Sequence, residues 1–440
     1  MANPFRSSLV RDASRLLSAN VAAQVIGLLV YPLLSRLYSP SDFGLLNVFV
    51  SIGGILIVIA NMEWHYAIVL PKDDDKAKSI VRISLATILI VSVLVALTIP
   101  FAPIIAGWMK TPSLSRYYWL LPMYVLFSGI WNVLNYWFIR YKQYGSISGY
   151  QISSSLFSAG YKSMFGAIGA TGGGLIYSTV LMPLSALTIQ CIRSWKEYIS
   201  PIFRPSTDSC ERSGILTHDI RRSVFDTRLI KEYKYFPLYS LPRNIINIAA
   251  AQLPVLLLTP VFSVEQVGYW GMAYTLAFTP IIVIIRSLYQ VLYQKTNEMI
   301  IAKRSISRYF RKYTLLALAI IIPVFTVLYF ILPSLTEWLL GTGWRRTGEL
   351  IRLMLPWIAV NVLSSSTIYL VDIFFKQKQL LIFEIWLALM RILGIIAGIW
   401  LNSFTAAIAF YCLSNAIVNI AEFIWMIVLV QQYEKTIDNA

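Results

Sequence analysis

Between Gly44 and Ala60 the chain reads GLLNVFVSIGGILIVIA, and between Leu315 and Leu332 it reads LLALAIIIPVFTVLYFIL, with no charged residue in either run. Such runs approach the roughly 20 mostly apolar residues that an α-helix needs to cross a bilayer. In hydrocarbon every peptide group must be paired within the chain, so only helices and closed barrels can span it. Neither run alternates with the period of two that a barrel strand requires, which leaves a helical bundle. Of the 440 residues, 57% are hydrophobic and 13% charged. That is about half the charge of an average soluble domain, which excludes a water-soluble globule.

Apolar runs between polar breaks predict helices over 14–37, 42–63, 80–106, 116–139, 147–168 and 173–193, then over 234–258, 266–290, 312–340, 349–373, 380–401 and 404–430. The polar, mixed-charge segment 194–233 reads as a solvated cytoplasmic connector between an N-terminal lobe, 1–193, and a C-terminal lobe, 234–440. The opening MANPFRSSLVRDASRLLSAN has no apolar core before a small-residue cleavage site, so it predicts a basic amphipathic lead-in rather than a secretory signal.

Lysine and arginine set the orientation. With the N-terminus inside, the cytoplasmic segments collect Arg6, Arg11, Arg15, Lys72, Lys76, Lys78, Arg82, Arg140 and Lys142, the basic connector, and later Lys295, Lys303, Arg304, Lys376 and Lys378. The opposite face holds Arg36, Lys110, Arg116, Arg345 and Arg346. Both termini are therefore expected in the cytoplasm, and the net charge of +16 reflects topology rather than a nucleic-acid partner.

The stretch YSPSDFG, Tyr38 to Gly44, returns loosely as FSVEQVG, Phe262 to Gly268. Asn20 precedes Ser39 by the same interval as Asn244 precedes Ser263, and Leu121-Pro122 precede Lys142-Gln143 as Leu355-Pro356 precede Lys376-Gln377. Six helices separate the copies, so the lobes read as parallel repeats, an arrangement of transporters that rock one half against the other. Within the motif Ser39 can cap a helix that begins at Pro40, with Asp42 as the second arm of a capping box; Ser263 and Gln266 can do the same. Tyr38 with Phe43, and Phe262 with Val267, occupy the positions of a hydrophobic staple. The motif thus reads as a capped corner between two spans, in preference to a direct substrate contact.

PLLSRLYSPSDFGLLNVFVSI, AIVLPKDDDKA, KEYKYFPLYSLPRNIINIAAAQLPVLLL and FSVEQVGYWGMAY resemble the polysaccharide transporter (O-antigen flippase) family of the multidrug, oligosaccharidyl-lipid and polysaccharide (MOP) exporter superfamily. The resemblance extends over nearly the whole chain. It implies an all-α integral membrane protein with about twelve transmembrane helices in two lobes around a central, MATE-like cavity. It also implies export of an oligosaccharide linked to polyprenyl diphosphate across the bacterial inner membrane, alongside polysaccharide assembly proteins. The chain departs from the pattern at His65, where relatives often carry glutamate; the nearest acid is Glu63.

Ionisable side chains inside spans are the first site candidates, since each costs a few kcal/mol, ~2.5–3.5 on insertion scales, at the bilayer centre. Arg243 and Arg391 lie roughly half-way along their expected helices, where each can hold a diphosphate through its guanidinium fork or pair with Glu384 or Glu422. Lys162 can line the same path or snorkel to the outer surface. Asn20, Gln24, Asn244, Asn247 and Gln252 can hydrogen-bond sugar hydroxyls or neighbouring helices. Asp372, Glu384 and Glu422 are the candidates for coupling to H+ or Na+, though each falls towards a cytoplasmic end where solvation is the simpler reading. Pro122 and Pro356 are expected to kink their helices. Gly394 and Gly398 form a GxxxG spacing that suits close helix packing.

No GxxxxGK[ST] phosphate loop is present, so an internal ATPase is not expected. His65 and His218 are the only histidines, and Cys191, Cys210 and Cys412 have no CxxC spacing. Neither a metal site nor a disulfide framework is expected. A transporter without cofactor is therefore the leading reading. Its rivals are a drug or small-metabolite exporter on the same scaffold and a membrane-embedded polymerase or acyltransferase.

Overall fold

The computed structural model describes residues 4–170, 172–203 and 227–438. Most of the expected connector, with Cys210 and His218, lies outside the described residues. Helix dominates, and no strand occurs among the described residues. Among the described residues ten helices are long and apolar enough to cross a membrane, which makes this a multi-pass membrane protein.

The first span runs Pro4–Leu37, the second Pro40–Asn61 and the third Asp74–Leu97, extended by a 3-10 turn at Ile99–Phe101 and the helix Ala102–Trp108. The fourth is Leu121–Arg140, the fifth Tyr144–Ala167 and the sixth Gly173–Ser194. The seventh span is Leu241–Leu258, the eighth Val264–Ile301 and the ninth Ser307–Leu340. The tenth is Arg345–Thr367, the eleventh Gln377–Trp400 and the twelfth Phe404–Asp438. The fourth and fifth are missing from the ten apolar helices. Their sequences carry Asn132, Asn135 and a run of serines, residues that a helix packed among protein neighbours can hold without meeting lipid.

Two helix ends differ from expectation. The sixth span continues past Arg193 through a π-helical turn, Trp195–Ile199, into the helix Ser200–Phe203. Side chains tie that extension down: Trp137 Nε1 donates to the Tyr198 carbonyl at 2.8 Å and Arg82 Nε to the Ile202 carbonyl at 2.7 Å. Pro122, expected to kink the fourth span, instead stands in its first turn, where its missing N–H costs nothing. Pro356 does lie inside the tenth span.

Two compact units divide the chain at Gln252 and Leu253. In the first unit the second span packs on the fourth, the third on the fourth, the fourth on the sixth and the fifth on the sixth. In the second unit the eighth packs on the tenth, the ninth on the tenth, the tenth on the twelfth and the eleventh on the twelfth. Four pairings of the first unit thus recur between the corresponding spans of the second. The core of the first unit centres on Val125, Val133, Trp137 and Phe138 of the fourth span. That of the second gathers Phe310, Tyr369 and Met426.

Both repeated corners form complete capping boxes. Asp42 N–H donates to Ser39 Oγ at 3.3 Å and Ser39 N–H returns a bond to Asp42 Oδ2 at 2.8 Å. In the copy, Gln266 N–H donates to Ser263 Oγ at 3.2 Å and Ser263 N–H to Gln266 Oε1 at 3.4 Å. The Tyr38 ring meets Phe43 edge-on at 6.3 Å, as a staple requires. Asp42 Oδ1 also accepts the Gly172 N–H at 2.7 Å, so the first corner anchors the glycine-rich turn before the sixth span. Removing a cap oxygen typically costs about 0.5–2 kcal/mol, whereas glycine at the cap costs a few tenths. Thermal unfolding in detergent should accordingly show Ser39→Ala and Ser263→Ala each lowering the midpoint, with Ser39→Gly close to the parent.

Large apolar side chains face outward where lipid would be. Trp108, Trp338 and Trp400 are among the most exposed, and each closes the C-terminal end of the third, ninth or eleventh span. Tryptophans at span ends form the interfacial belt of membrane proteins. All three mark the side expected to face outward.

Candidate functional site

The second span ends in an unusual backbone event. Met62 and Glu63 take φ values of 44° and 61°, left-handed conformations that cost a non-glycine residue about 1–3 kcal/mol each. The turn sends Glu63, Trp64 and His65 inward, where they are 2%, 5% and 7% exposed. Arg140 fastens the chain beyond them: its Nη1 donates to the carbonyls of Ile68 at 3.1 Å and Pro71 at 2.6 Å, while Nη2 reaches Asp74 Oδ1 at 2.7 Å. Arg140 therefore anchors the chain just beyond the strained turn.

These residues open onto a cavity of about 440 Å³ in the first unit. Its wall combines Asn61, Glu63, His65 and Tyr66 with Asn132 and Tyr136 of the fourth span and Asn244 and Asn247 of the seventh. The Tyr66 and Tyr136 rings lie 4.3 Å and 4.9 Å from the His65 ring. Asn61 Nδ2 donates to the Ile57 carbonyl at 2.7 Å. Asn61 Oδ1, Glu63 Oε2 and His65 Nδ1 are buried without a hydrogen-bond partner among the described residues.

Burial raises the Glu63 carboxyl above the usual range, while a hydrogen bond from Asn244 and the field of Arg243 pull it back. Burial lowers the His65 imidazole to about 4. His65 Nε2 lies 3.8 Å from Glu63 Oε2, but an imidazole that is neutral at pH 7 makes this a dipolar contact rather than an ion pair. Arg243 immediately precedes Asn244, is exposed, and makes no ion pair among the described residues. Amides, phenols and aromatic faces suit sugar hydroxyls and rings, and a free guanidinium suits phosphate oxygens.

Of the residues singled out from sequence, this cavity brings together Asn244 and Asn247, with Arg243 beside them. Gln252 lies farther along the seventh span and accepts from Ser51 Oγ at 2.8 Å. Asn20, Gln24 and Lys162 do not line the cavity. Gln24 Oε1 is buried without a partner among the described residues, and the half-buried Lys162 receives the Tyr38 hydroxyl on its backbone carbonyl at 2.8 Å. Arg243 also sits in the first turn of the regular helix Leu241–Leu258 rather than half-way along, because a π-helical turn, Phe236–Ser240, precedes it.

In the second unit Arg391 pairs with an amide. Its Nε and Nη2 donate to Asn415 Oδ1 at 2.9 Å and 2.7 Å, and its guanidinium lies 5.7 Å from the Tyr411 ring. Among the described residues no carboxylate pairs with it. Glu422 accepts a short hydrogen bond from Ser364 Oγ. Asp372 is exposed and accepts from Tyr289 at 2.8 Å, and Glu384 is exposed. Sequence reasoning missed Asn61, Tyr66, Asn132 and Tyr136 and gave Glu63 no role. The amides of the otherwise aromatic fourth span were the available signal.

Residues 33–349 match a family model described as polysaccharide biosynthesis protein. No curated protein matches the chain significantly. Among solved structures, a multidrug resistance MATE family transporter of the MOP superfamily in an inward-facing conformation superposes with a TM-score of 0.65 at 14% identity, covering 96% of each chain. The lipid II flippase MurJ in an inward closed conformation gives 0.59 at 13% identity, over 93% of this chain and 87% of its own. A MOP superfamily transporter from Pyrococcus furiosus, described as having a binding pocket of reverse polarity, gives 0.55 at 15% identity over 97% and 96%. At these identities the likeness is one of fold, and the fold is that of MOP transporters.

Proposed function

Because the chain belongs to the polysaccharide biosynthesis protein family, we propose that it is a flippase. It moves an oligosaccharide linked to polyprenyl diphosphate, of the O-antigen type, across the bacterial inner membrane by alternating access. The observation that carries this reading is the polar cavity of the first unit, lined by Asn61, Glu63, Asn132, Tyr136, Asn244 and Asn247 beside Arg243, which makes no ion pair among the described residues. Sugar hydroxyls need many donors and acceptors with little net charge, and a diphosphate needs a cation at the edge of them. The cavity and Arg243 supply both.

The basic segments hold both termini in the cytoplasm. Sugar-lipid made there would reach Arg243 near the start of the seventh span. Glu63, with an unpartnered oxygen, joins Glu422, Glu384 and Asp372 as a group through which H+ or Na+ would drive the cycle. Polysaccharide assembly proteins would consume the product outside.

The test is reconstitution into liposomes with a labelled polyprenyl-diphosphate oligosaccharide. The label should reach the opposite leaflet only when the protein is present, and a cationic dye should not be carried. Dye transport without lipid transfer would favour the drug-exporter alternative, for which Glu63 would be the cation partner.

A further inference from the structure

A second polar cavity, of about 730 Å³, lies where the first span meets the start of the fifth. Its floor is made of small residues, Ala19, Ala22, Gly145 and Gly149. The fifth span begins there after Gln143, with no side-chain cap on its first turn. An uncapped helix start presents free N–H groups and about half a positive charge. Two further donors stand beside it without a partner among the described residues: Ser148 Oγ, on a residue 7% exposed that lines the cavity, and Gln190 Nε2, on a residue 1% exposed. Gly149 lets Gln190 and Arg193 close in, for a Cβ there would fall 2.7 Å from Gln190 Nε2 and 3.8 Å from Arg193 Nη1.

Arg193 is exposed and makes no ion pair or hydrogen bond among the described residues. It also borders a groove of about 670 Å³ on the other side, between the fourth and sixth spans, walled by Phe127, Leu184, Leu187, Ile192 and Trp195, with Lys196 at its edge. One guanidinium therefore joins a polar chamber rich in donors to an apolar channel. That pairing fits an amphiphile with an anionic head. Arg140, Lys142, Arg193 and Lys196 mark this end of the spans as cytoplasmic, where anionic lipids meet basic pockets between helices.

We propose that Arg193 seats the phosphate of an anionic phospholipid, its headgroup in the chamber against the fifth span and an acyl chain along the groove of the fourth and sixth. Neutral zwitterionic lipid would bring a choline into a chamber of donors, so the site selects net negative charge. The occupant is a resident lipid of the bilayer, and the inference does not rest on the transport reading.

The experiment is native mass spectrometry of the full chain released from detergent after incubation with phosphatidylglycerol, phosphatidylcholine or inorganic phosphate. Phosphatidylglycerol should be retained in preference to phosphatidylcholine. Arg193→Gln should lower its retention at least about fivefold, because a charge-assisted contact is lost. Gly145→Leu keeps the charge but fills the chamber, since nothing stands within 4 Å of a Cβ at that position, and it should lower retention as well. Equal retention by the parent and both variants would overturn the proposal. So would equal retention of the two lipids, or displacement of phosphatidylglycerol by millimolar phosphate, which would make this a site for a soluble anion.

Discussion

If the proposed function holds, Arg243→Ala should lower transfer of the sugar-lipid on the order of tenfold to a hundredfold, as removal of a hydrogen-bonded charge worth roughly 1.5–3 kcal/mol implies. Protein abundance should stay at the parent level, because Arg243 is exposed and holds no ion pair among the described residues. Arg243→Lys recovers part of the activity, since it keeps the charge but loses the planar fork. Arg391→Ala behaves differently. It would strand Asn415, which is fully buried, and remove the cation from the Tyr411 ring, so abundance and transfer should fall together. Transfer assays normalised to reconstituted protein separate the two, and parent-level transfer by Arg243→Ala would remove that residue from the site.

Gly398→Leu should be the most destabilising single change in the second unit. A Cβ at Gly398 would stand 2.1 Å from Ala407 Cα and 2.3 Å from its backbone nitrogen, so the eleventh and twelfth spans would have to separate. Overpacking a well-filled contact typically costs about 1–3 kcal/mol, and here backbone rather than a movable side chain must give. A Cβ at Gly394, one turn earlier, would stand 2.9 Å from the Phe410 carbonyl oxygen. Gly27 is the control: it has nothing within 4 Å, and alanine there should be neutral or stabilising by up to about 1 kcal/mol. Thermal unfolding of purified variants measures the difference, and a Gly398→Leu midpoint equal to the parent's would contradict the close crossing.

The parts of the fold legible in the sequence are those set by short-range chemistry. A serine, a carboxylate or amide three residues on and flanking hydrophobics encode the same corner twice, and both boxes form. The GxxxG spacing likewise announced a close crossing. Arg391 shows the limit of such reasoning. Charge complementarity pointed to Glu384 or Glu422, whereas an amide can neutralise a guanidinium's donors without charge, and Asn415 does so from the facing helix. The cavity itself was half legible. Asn244 and Asn247 stood out as polar residues in an apolar helix. Glu63 and His65 stood out only as a departure from the family pattern, because the turn that buries them is a left-handed step at Met62 and Glu63 with no glycine to advertise it. Arg140, which secures that turn across the fold, looked in the sequence like one more cytoplasmic charge.

The central claim is that the sugar-lipid sits in the cavity beside Arg243. A polyprenyl-diphosphate oligosaccharide carrying a photoreactive group on its first sugar, irradiated with the reconstituted protein and mapped by peptide mass spectrometry, tests it directly. Cross-links should fall on the segments Asn61 to Tyr66 and Arg243 to Asn247 and be suppressed by excess unlabelled lipid. Competable labelling confined to other segments would contradict the account.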